Sequence, residues 1–529
     1  MGTPLEFDYV IVGSGINSLV CAALLAKNGN RVAILERNDQ IGGCIRTEEL
    51  TLPGFRHDVM SSWHPLFLLS PGFAELEHDL TARGLNYCHS TKPTAGLSSD
   101  NSGFVLSTDR ATNIQAMNAL SPGDGDRYAN AMAFIEAHAE LTFATLGEQL
   151  WRFAYLRKLL QRIWQRGLLN FSNDVKDYAE TANTWLARDI HSPQIANCLA
   201  PWVLHTGLSP DSVFSGHMAK VVAFSLEAVG TPVVAGGSDG LLRAFEALLK
   251  DYGAEIFTHV EANEVLVTKN RAIGIRDTDQ HDFHAHKAVI CSVTPGQLYG
   301  DLLRKVPIPN KVRDSAMSFR HGLADMQIHL ALDAPPRWKN ADMNDVAMVH
   351  LQDNSAAITQ AVSQARAGLL PSAATIVVGQ PCAVDPSRAP AGKSILWIQL
   401  QELPSSILGD AAGEIATPDS GHWTDAVKEQ YADRIVGRLR LHIENLDEIM
   451  LSRTVLSPHD LSELNINLVG GDPYGGDCAA DQFLFWRPLA TTKNHDTPVK
   501  ALHHIGASTH PGPGLGGGSG YLVGKMLTG

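Results

Sequence analysis

Apolar and polar positions alternate between strand-like and helix-like textures along this chain, and the first fifty residues carry the clearest pattern. An apolar run at Tyr9-Val10-Ile11-Val12 meets a turn, Gly13-Ser14-Gly15-Ile16-Asn17-Ser18, and a periodic stretch follows through Leu19, Leu24 and Leu25. After Asn28-Gly29-Asn30 a second apolar run, Val32-Ala33-Ile34-Leu35, closes on Glu36. The spacing predicts a strand, a tight turn, a helix opening near Asn17, and a parallel strand. Gly13 permits the sharp turn, Gly15 lets backbone approach a pyrophosphate, and the helix aims its free N–H groups and positive end at the phosphates. Glu36, about twenty residues beyond Gly15, is placed to accept hydrogen bonds from ribose hydroxyls. Ser18 stands where the dinucleotide fingerprint has its third glycine, so the packing of helix on strand must tolerate a hydroxymethyl group there.

The residues that follow, Arg37-Asn38-Asp39-Gln40-Ile41-Gly42-Gly43-Cys44-Ile45-Arg46-Thr47, resemble the glycine-pair motif of flavoproteins. A nicotinamide dehydrogenase has no need of that second pair, so the expected ligand is FAD, bound extended. From about residue 70 to 229 the pattern turns mainly helical, with short extended pieces near 86–88 and 104–107. At Thr231 the chain returns: Gly236-Gly237-Ser238-Asp239-Gly240 opens a helix with Leu241, Leu242, Phe245, Leu248 and Leu249 three and four apart. Short strands are predicted at 254–257, 260–268, 272–276 and 288–291. A second excursion from about Pro307 runs strand-like at 327–332, 375–378 and 394–400 and ends in a helix over 425–443. Residues 501–520 form a strand feeding a glycine-rich loop, the form of a phosphate or flavin cradle, and a short helix over 521–527 closes the pattern.

Length and composition then bound the function. At 529 residues the chain exceeds one ordinary core, and two or three domains are expected. A hydrophobic content of 44% with 19% charged residues is that of a folded soluble protein. The net charge of −14 argues against nucleic acid as a partner, which requires a basic face. Seven cysteines without paired spacing point to reduced thiols. With no apolar leader before the first strand and no apolar run long enough to span a bilayer, a cytoplasmic location is expected, with room for peripheral membrane contact. Residues 149–169 are the candidate for that contact. They carry Arg152, Arg157, Lys158, Arg162 and Arg166 with no acid, while Trp151, Phe153, Leu156, Leu160, Ile163 and Trp164 can form an apolar side. Such a helix either lies on an anionic membrane or packs on the substrate domain or another subunit.

Four separated motifs together resemble phytoene dehydrogenase and its relatives: the Val12-Gly13-Ser14-Gly15 turn, Gly42-Gly43-Cys44-Ile45-Arg46-Thr47, Gly236-Gly237-Ser238-Asp239-Gly240-Leu241, and Gly506-Ala507-Ser508-Thr509-His510-Pro511-Gly512. Gly470-Gly471-Asp472 and Asp481-Gln482-Phe483-Leu484-Phe485-Trp486-Arg487-Pro488 point to the branch of the pyridine nucleotide-disulphide oxidoreductase domain 2 type. The resemblance implies an α/β fold of flavin amine oxidase type. A Rossmann-type FAD-binding domain is then assembled from residues 1–60, 231–300 and 460–529. A discontinuous α+β substrate domain is built from 61–230 and 301–459, with a helical insert near 140–215. It implies a cofactor cradle of Gly13, Gly15, Asn17, Ser18, Glu36, Arg37, Gly42, Gly43 and Arg46, with Val260 beside the adenine end and Gly506, Gly514 and Leu515 along the flavin. Where the family often has Asp-x-Gly-Pro near the isoalloxazine, this chain has Asp58-Val59-Met60-Ser61, so the ring's surroundings differ.

A flavin accepts a hydride from a substrate C–H bond, and the protein must orient that bond and exclude water, which leads us to expect a largely apolar channel and a hydrophobic small-molecule substrate. Desaturation or dehydrogenation is expected; the alternatives are amine or alcohol oxidation on the same scaffold, or a flavin-binding protein without net redox turnover. His64, His510 and His57 are the candidate proton acceptors, because histidine titrates near neutrality. Competing motifs are weaker. Gly-x-Ser-x-Gly at 236–240 would make Ser238 a hydrolase nucleophile, but the residues before it read as helical. His281, His284 and His286 with Asp277, Asp279 and Asp282 read as a solvated hairpin rather than a metal site, and no metal is expected. Cys44 and Cys478 read as ordinary cysteines rather than flavin attachment points.

Overall fold

The computed structural model describes residues 5–529. Its opening unit follows the sequence pattern: β1 (Leu5–Val12), α1 (Ile16–Lys27) and β2 (Val32–Leu35), with the two strands parallel and Tyr9 opposite Val32. Every residue of α1 from Ile16 to Ala26 is buried, so this helix is apolar all round rather than amphipathic and sits between layers. The chain then leaves for β3 (Thr94–Leu97), β4 (Gly103–Leu106) and a run of helices that includes α2 (Phe153–Arg166) and α3 (Leu168–Ala179). It returns through α4 (Asp239–Asp251), β5 (Glu255–Phe257), β6 (Ala262–Thr268), β7 (Arg271–Asp277) and β8 (Asp282–Ser292).

The second excursion lays down β9 (Ala324–Leu332), β10 (Met348–Leu351), β11 (Ile376–Gly379), β12 (Ser394–Leu403), α5 (Asp425–Arg440) and β13 (Met450–Leu456). A last return gives β14 (Leu502–Ile505) and α6 (Gly518–Thr528).

Two seven-stranded sheets result. In the first, β14, β8, β1, β2 and β5 are parallel neighbours in that order, and the β6–β7 hairpin extends the sheet antiparallel from β8. Three stretches of chain far apart in sequence therefore build one doubly wound sheet. Its ligand site belongs at the carboxyl ends of the parallel strands, where β1 turns into α1.

The second sheet runs β13–β9–β12–β11–β10–β3–β4, antiparallel except between β10 and β3. One face is apolar: Met326, Ile328 and Leu330 of β9 and Leu396, Ile398 and Leu400 of β12 pack against Tyr431, Ile435 and Leu439 of α5 in one core. Strand periodicity sends the alternate residues, Asp325, Gln327, His329, Gln399 and Gln401, to the opposite face. Asp325, Gln327, His329 and Gln401 are buried there too.

Candidate functional site: a glycine cradle facing a polar sheet

Three glycine segments meet at the end of β1. Gly13 has φ +82°, and a Cβ there would lie 3.1 Å from the Ser292 carbonyl oxygen of β8, so the turn requires glycine both for conformation and for close approach. Gly15 differs: its φ is −63°, and a Cβ would meet nothing within 4 Å. No side chain caps α1 at Gly15, and no acid lies in its first turn. The glycine pair comes to this point, with the Gly42 N–H donating to the Ser14 carbonyl at 3.2 Å and a Cβ on Gly43 falling 3.4 Å from Gly15 Cα.

The C-terminal loop closes the same corner through Asn17. The Gly506 N–H donates to Ser519 Oγ at 2.9 Å, the Ser519 hydroxyl donates to Asn17 Oδ1 at 2.9 Å, and the Gly520 N–H donates to the same oxygen at 3.3 Å. Glycine at 520 is what permits this, because a Cβ there would sit 1.8 Å from the Asn17 carbonyl oxygen. The uncapped start of α1 is thus locked beside the start of α6, a concentration of backbone N–H groups and helix-dipole charge suited to an anion.

Each predicted cradle residue has a definite place. Glu36 is buried and accepts from the Ser14 N–H at 3.1 Å, the Ser14 hydroxyl at 2.5 Å and the Asn38 N–H at 2.9 Å. Val260 donates its N–H to the Glu36 carbonyl at 2.9 Å, and Arg37 reaches Glu261 at 3.8 Å, so Glu36, Arg37 and Val260 form one corner. Arg46 pairs with Glu48. Gly514 packs on Leu66, and Leu515 lies half-buried against the nucleotide-domain core. Two of these residues also serve the packing. The Asn17 side chain is engaged in holding α6, and Ser18 is fully buried with its hydroxyl unpartnered, so the extra hydroxymethyl is accommodated inside the protein.

The three candidate histidines do not come together. His57 lies edge-to-face on His329 at 5.2 Å with Thr51 Oγ1 2.8 Å from its Nε2; His64 has Tyr87 and Ser238 hydroxyls at 3.0 and 3.3 Å; His510 belongs to the C-terminal loop. All three are buried. Burial pushes His64 and His510 down to about 4 and, with His329 adding to it, His57 to about 2. Titration near neutrality, the property that singled them out, is removed by desolvation.

What the motifs did not disclose is a buried ionic cluster joining segments far apart in the chain. Arg388, fully buried, donates from Nη1 to Asp58 at 2.8 Å, from Nε to Asp385 at 3.1 Å and from Nη2 to the Val234 carbonyl at 3.0 Å. Asp58 also accepts from Thr47 Oγ1 at 2.6 Å, Ser62 Oγ at 2.8 Å and the Ser238 N–H at 2.9 Å. Ser238 is itself fully buried and donates its hydroxyl to the Ser61 carbonyl at 2.8 Å, a structural role rather than that of an exposed nucleophile.

The sheet face opposite the α5 core is mixed, with a polar group on β9 and β12 beside apolar residues such as Met348, Val377 and Trp397. Asp325 accepts from Gln399 Nε2 at 2.6 Å and Gln327 Nε2 at 3.2 Å, and burial pushes its carboxyl up to about 8. Gln327 Oε1, Gln401 Oε1, both ring nitrogens of His329 and the indole N–H group of Trp397, which pairs across the strands with His329, are buried without partners. His329 on this face packs edge-to-face on His57 at 5.2 Å, which sets the face against the segment that follows the glycine pair. Because Asp325 has a raised pKa in the folded state and an ordinary one, 3.8, when unfolded, it binds the proton more tightly folded; its contribution is intact below about pH 4 and is lost as pH rises through 8, by about 1.4 kcal/mol per unit. Asp325→Asn removes this loss and is therefore expected to make stability increase more steeply with pH over that window than in the unsubstituted protein, and denaturant midpoints with the same pH dependence in both proteins would contradict it.

Comparison with known proteins agrees with this architecture. Residues 11–71 match the NAD(P)-binding Rossmann-like domain. Over 97% of this chain and 92% of its own length, the pyridine nucleotide-disulfide oxidoreductase domain-containing protein 2 of Rattus norvegicus is 25% identical. A component of the limonene dehydrogenase of Castellaniella defragrans is 22% identical over 99% and 94% of the two chains, and a 4,4'-diapophytoene desaturase of Staphylococcus aureus is 23% identical over 96% and 95%. The chain is similar to these oxidoreductases over nearly its whole length. The fold is that of the flavin amine oxidases: a putrescine oxidase variant superposes with a TM-score of 0.59 over 99% of this chain and 98% of its own at 15% identity. The expected resemblance to the phytoene dehydrogenase group is borne out.

Proposed function

We propose that the cradle holds FAD and that the protein takes a hydride from a C–H bond of a hydrophobic small molecule, in a desaturation or dehydrogenation. The observation that carries this is Gly15. Neither its φ nor any neighbour calls for a glycine, yet it opens the uncapped start of α1 with free space in front of it, where a pyrophosphate needs room. The donor set fits: backbone N–H groups of residues 15–18, 518 and 519 for the phosphates, Glu36 for ribose hydroxyls, and Gly43, whose Cβ position abuts Gly15, where a side chain would narrow the cradle. Bound there, FAD supplies the hydride acceptor. The chain's own contribution is to orient the substrate against the polar group of β9 and β12 and to exclude water from it. Asp325 with Gln327 and Gln399 favours the second reading, amine or alcohol oxidation, since such a substrate presents a hydrogen-bonding group next to the bond that loses hydride.

Seven unpaired cysteines support a reducing compartment, and the cytoplasm is our reading. Among the described residues no helix is long and apolar enough to cross a membrane.

Gly15→Ala tests the proposal. The methyl group meets nothing in the protein, so thermal stability is expected to shift by no more than about 0.5 kcal/mol. FAD affinity, read by fluorescence titration of the apoprotein, is expected to fall on the order of tenfold. Equal affinity in the two proteins, or a wild-type protein that does not take up FAD, overturns the assignment.

A further inference from the structure

The basic aromatic stretch singled out in the sequence forms a helical hairpin, and the function proposed above makes no use of it. Helices α2 and α3 join at Gly167, and of the 14 residues of α2 only Tyr155 is buried. Phe153 is 79% exposed, Leu160 65%, Trp164 84%, Leu168 78% and Leu169 77%. Positions 153, 157, 160 and 164 follow one another at spacings of four, three and four, so Phe153, Arg157, Leu160 and Trp164 form one outward stripe, which Leu168 and Leu169 extend past the turn.

The hairpin is not loosely attached. Trp151 at its base packs edge-to-face on Phe485 at 5.3 Å, donates its indole N–H to the Phe485 carbonyl at 3.0 Å, and donates its backbone N–H to Asn494 Oδ1 at 3.1 Å. Tyr155 fills a small core with Ala144 and Leu150. A firmly seated base presents an apolar stripe with nothing on it.

We infer that the α2–α3 hairpin docks on an anionic lipid bilayer. Charge decides the occupant. The chain as a whole carries −14, which repels anionic lipid, yet residues 149–169 carry five cations and no acid. Lys158 is paired with Glu148 at 2.5 Å and Arg166 with Asp174 at 2.7 Å, while Arg152, Arg157 and Arg162 make no salt bridge among the described residues. Arg157 stands in the middle of the apolar stripe, between Phe153 and Leu160. The core of a protein–protein interface is depleted of charge, whereas a helix lying in the headgroup layer combines aromatic and aliphatic side chains with interleaved arginines. Long arginine stems let the guanidinium reach phosphates while Trp164 and Phe153 enter the acyl boundary.

Flotation of the full-length protein with phosphatidylcholine vesicles, with and without phosphatidylserine, tests this. Binding is expected to the serine-containing vesicles at low salt, with about tenfold weaker binding to phosphatidylcholine alone or in high salt. Arg157→Glu with Arg162→Glu, and separately Phe153→Ser with Trp164→Ser, are each expected to weaken it by a similar factor at unchanged melting temperature. Trp164 emission is expected to shift to the blue on binding and to be quenched by brominated acyl chains. Absence of binding to anionic vesicles at low salt, binding that both double variants retain, or a wild-type dimer that Phe153→Ser with Trp164→Ser dissociates would each overturn the inference. None of these readouts involves the flavin, so they stand or fall apart from the FAD assignment.

Discussion

Arg388→Leu is expected to cost about 3–5 kcal/mol of folding free energy, a large share of the total for a natural protein. The substitution keeps much of the volume but removes the guanidinium between Asp58 and Asp385, both buried. Burial by itself raises the pKa of Asp58, but the Arg388 charge and hydrogen bonds from Thr47 and Ser238 outweigh it and leave the carboxyl below its ordinary value. Without Arg388 two carboxylates lie close together in a low dielectric, and one must take up a proton or the segments carrying them must separate. The damage extends across the molecule because Asp58 and Val234 belong to the glycine-motif side, while Asp385 and Arg388 follow β11 of the second sheet. Urea midpoints by fluorescence measure the loss. Combining Arg388→Leu with Asp58→Asn and Asp385→Asn is expected to recover much of it, since the unpaired charges are gone. A loss below about 1 kcal/mol in the single variant would mean that the cluster is not the clasp between these segments.

The cluster also marks the limit of what the chain reveals before folding. The opening β1–α1–β2 unit was legible because each step has a local cause: an apolar run, a glycine turn, a helical period, and an acid at the end of the second strand. The return through β14 and α6 was legible as well, because residues 506–520 repeat a glycine loop before a helix. Arg388 was not. Its partners lie 330 residues away at Asp58 and three residues away at Asp385, and an isolated arginine near a proline turn has no period or motif to announce it. The polar group on β9 and β12 was hidden for a related reason. Gln327-Ile328-His329-Leu330 alternates like a strand with one solvated face, and only tertiary packing shows that both faces are buried. Strands β3, β10 and β13 also escaped notice, since four residues such as Met348–Leu351 carry too little pattern to separate a buried strand from a buried helical turn. Local chemistry wrote the β1–α1–β2 corner into the sequence; the second sheet is written by long-range contacts.

Lowering the pH from about 7 to 5 is expected to unfold the protein, and histidine burial is the cause. His57, His64, His205, His217, His329, His495, His504 and His510 all have pKa values pushed down to between about 2 and about 4 from an ordinary 6.5, with desolvation the leading cause in each. An unfolded chain binds protons at these positions below pH 6.5, while the folded chain does not until its own lower values are reached. Stability therefore falls as pH falls through this window, each histidine contributing about 1.4 kcal/mol per unit. Eight such groups acting together exceed the whole stability of an ordinary domain, about 5–15 kcal/mol, within one to two units. Asp325 and Glu402, whose raised values favour the folded form as pH drops, oppose this with two groups against eight. Thermal melts at intervals between pH 7.5 and 5 measure the effect. His504→Gln, which keeps a donor for the Val293 carbonyl now 2.7 Å from Nε2, is expected to reduce the pH slope by about one proton. A melting temperature that stays level from pH 7 to 5 would show that these rings reach water in the folded protein.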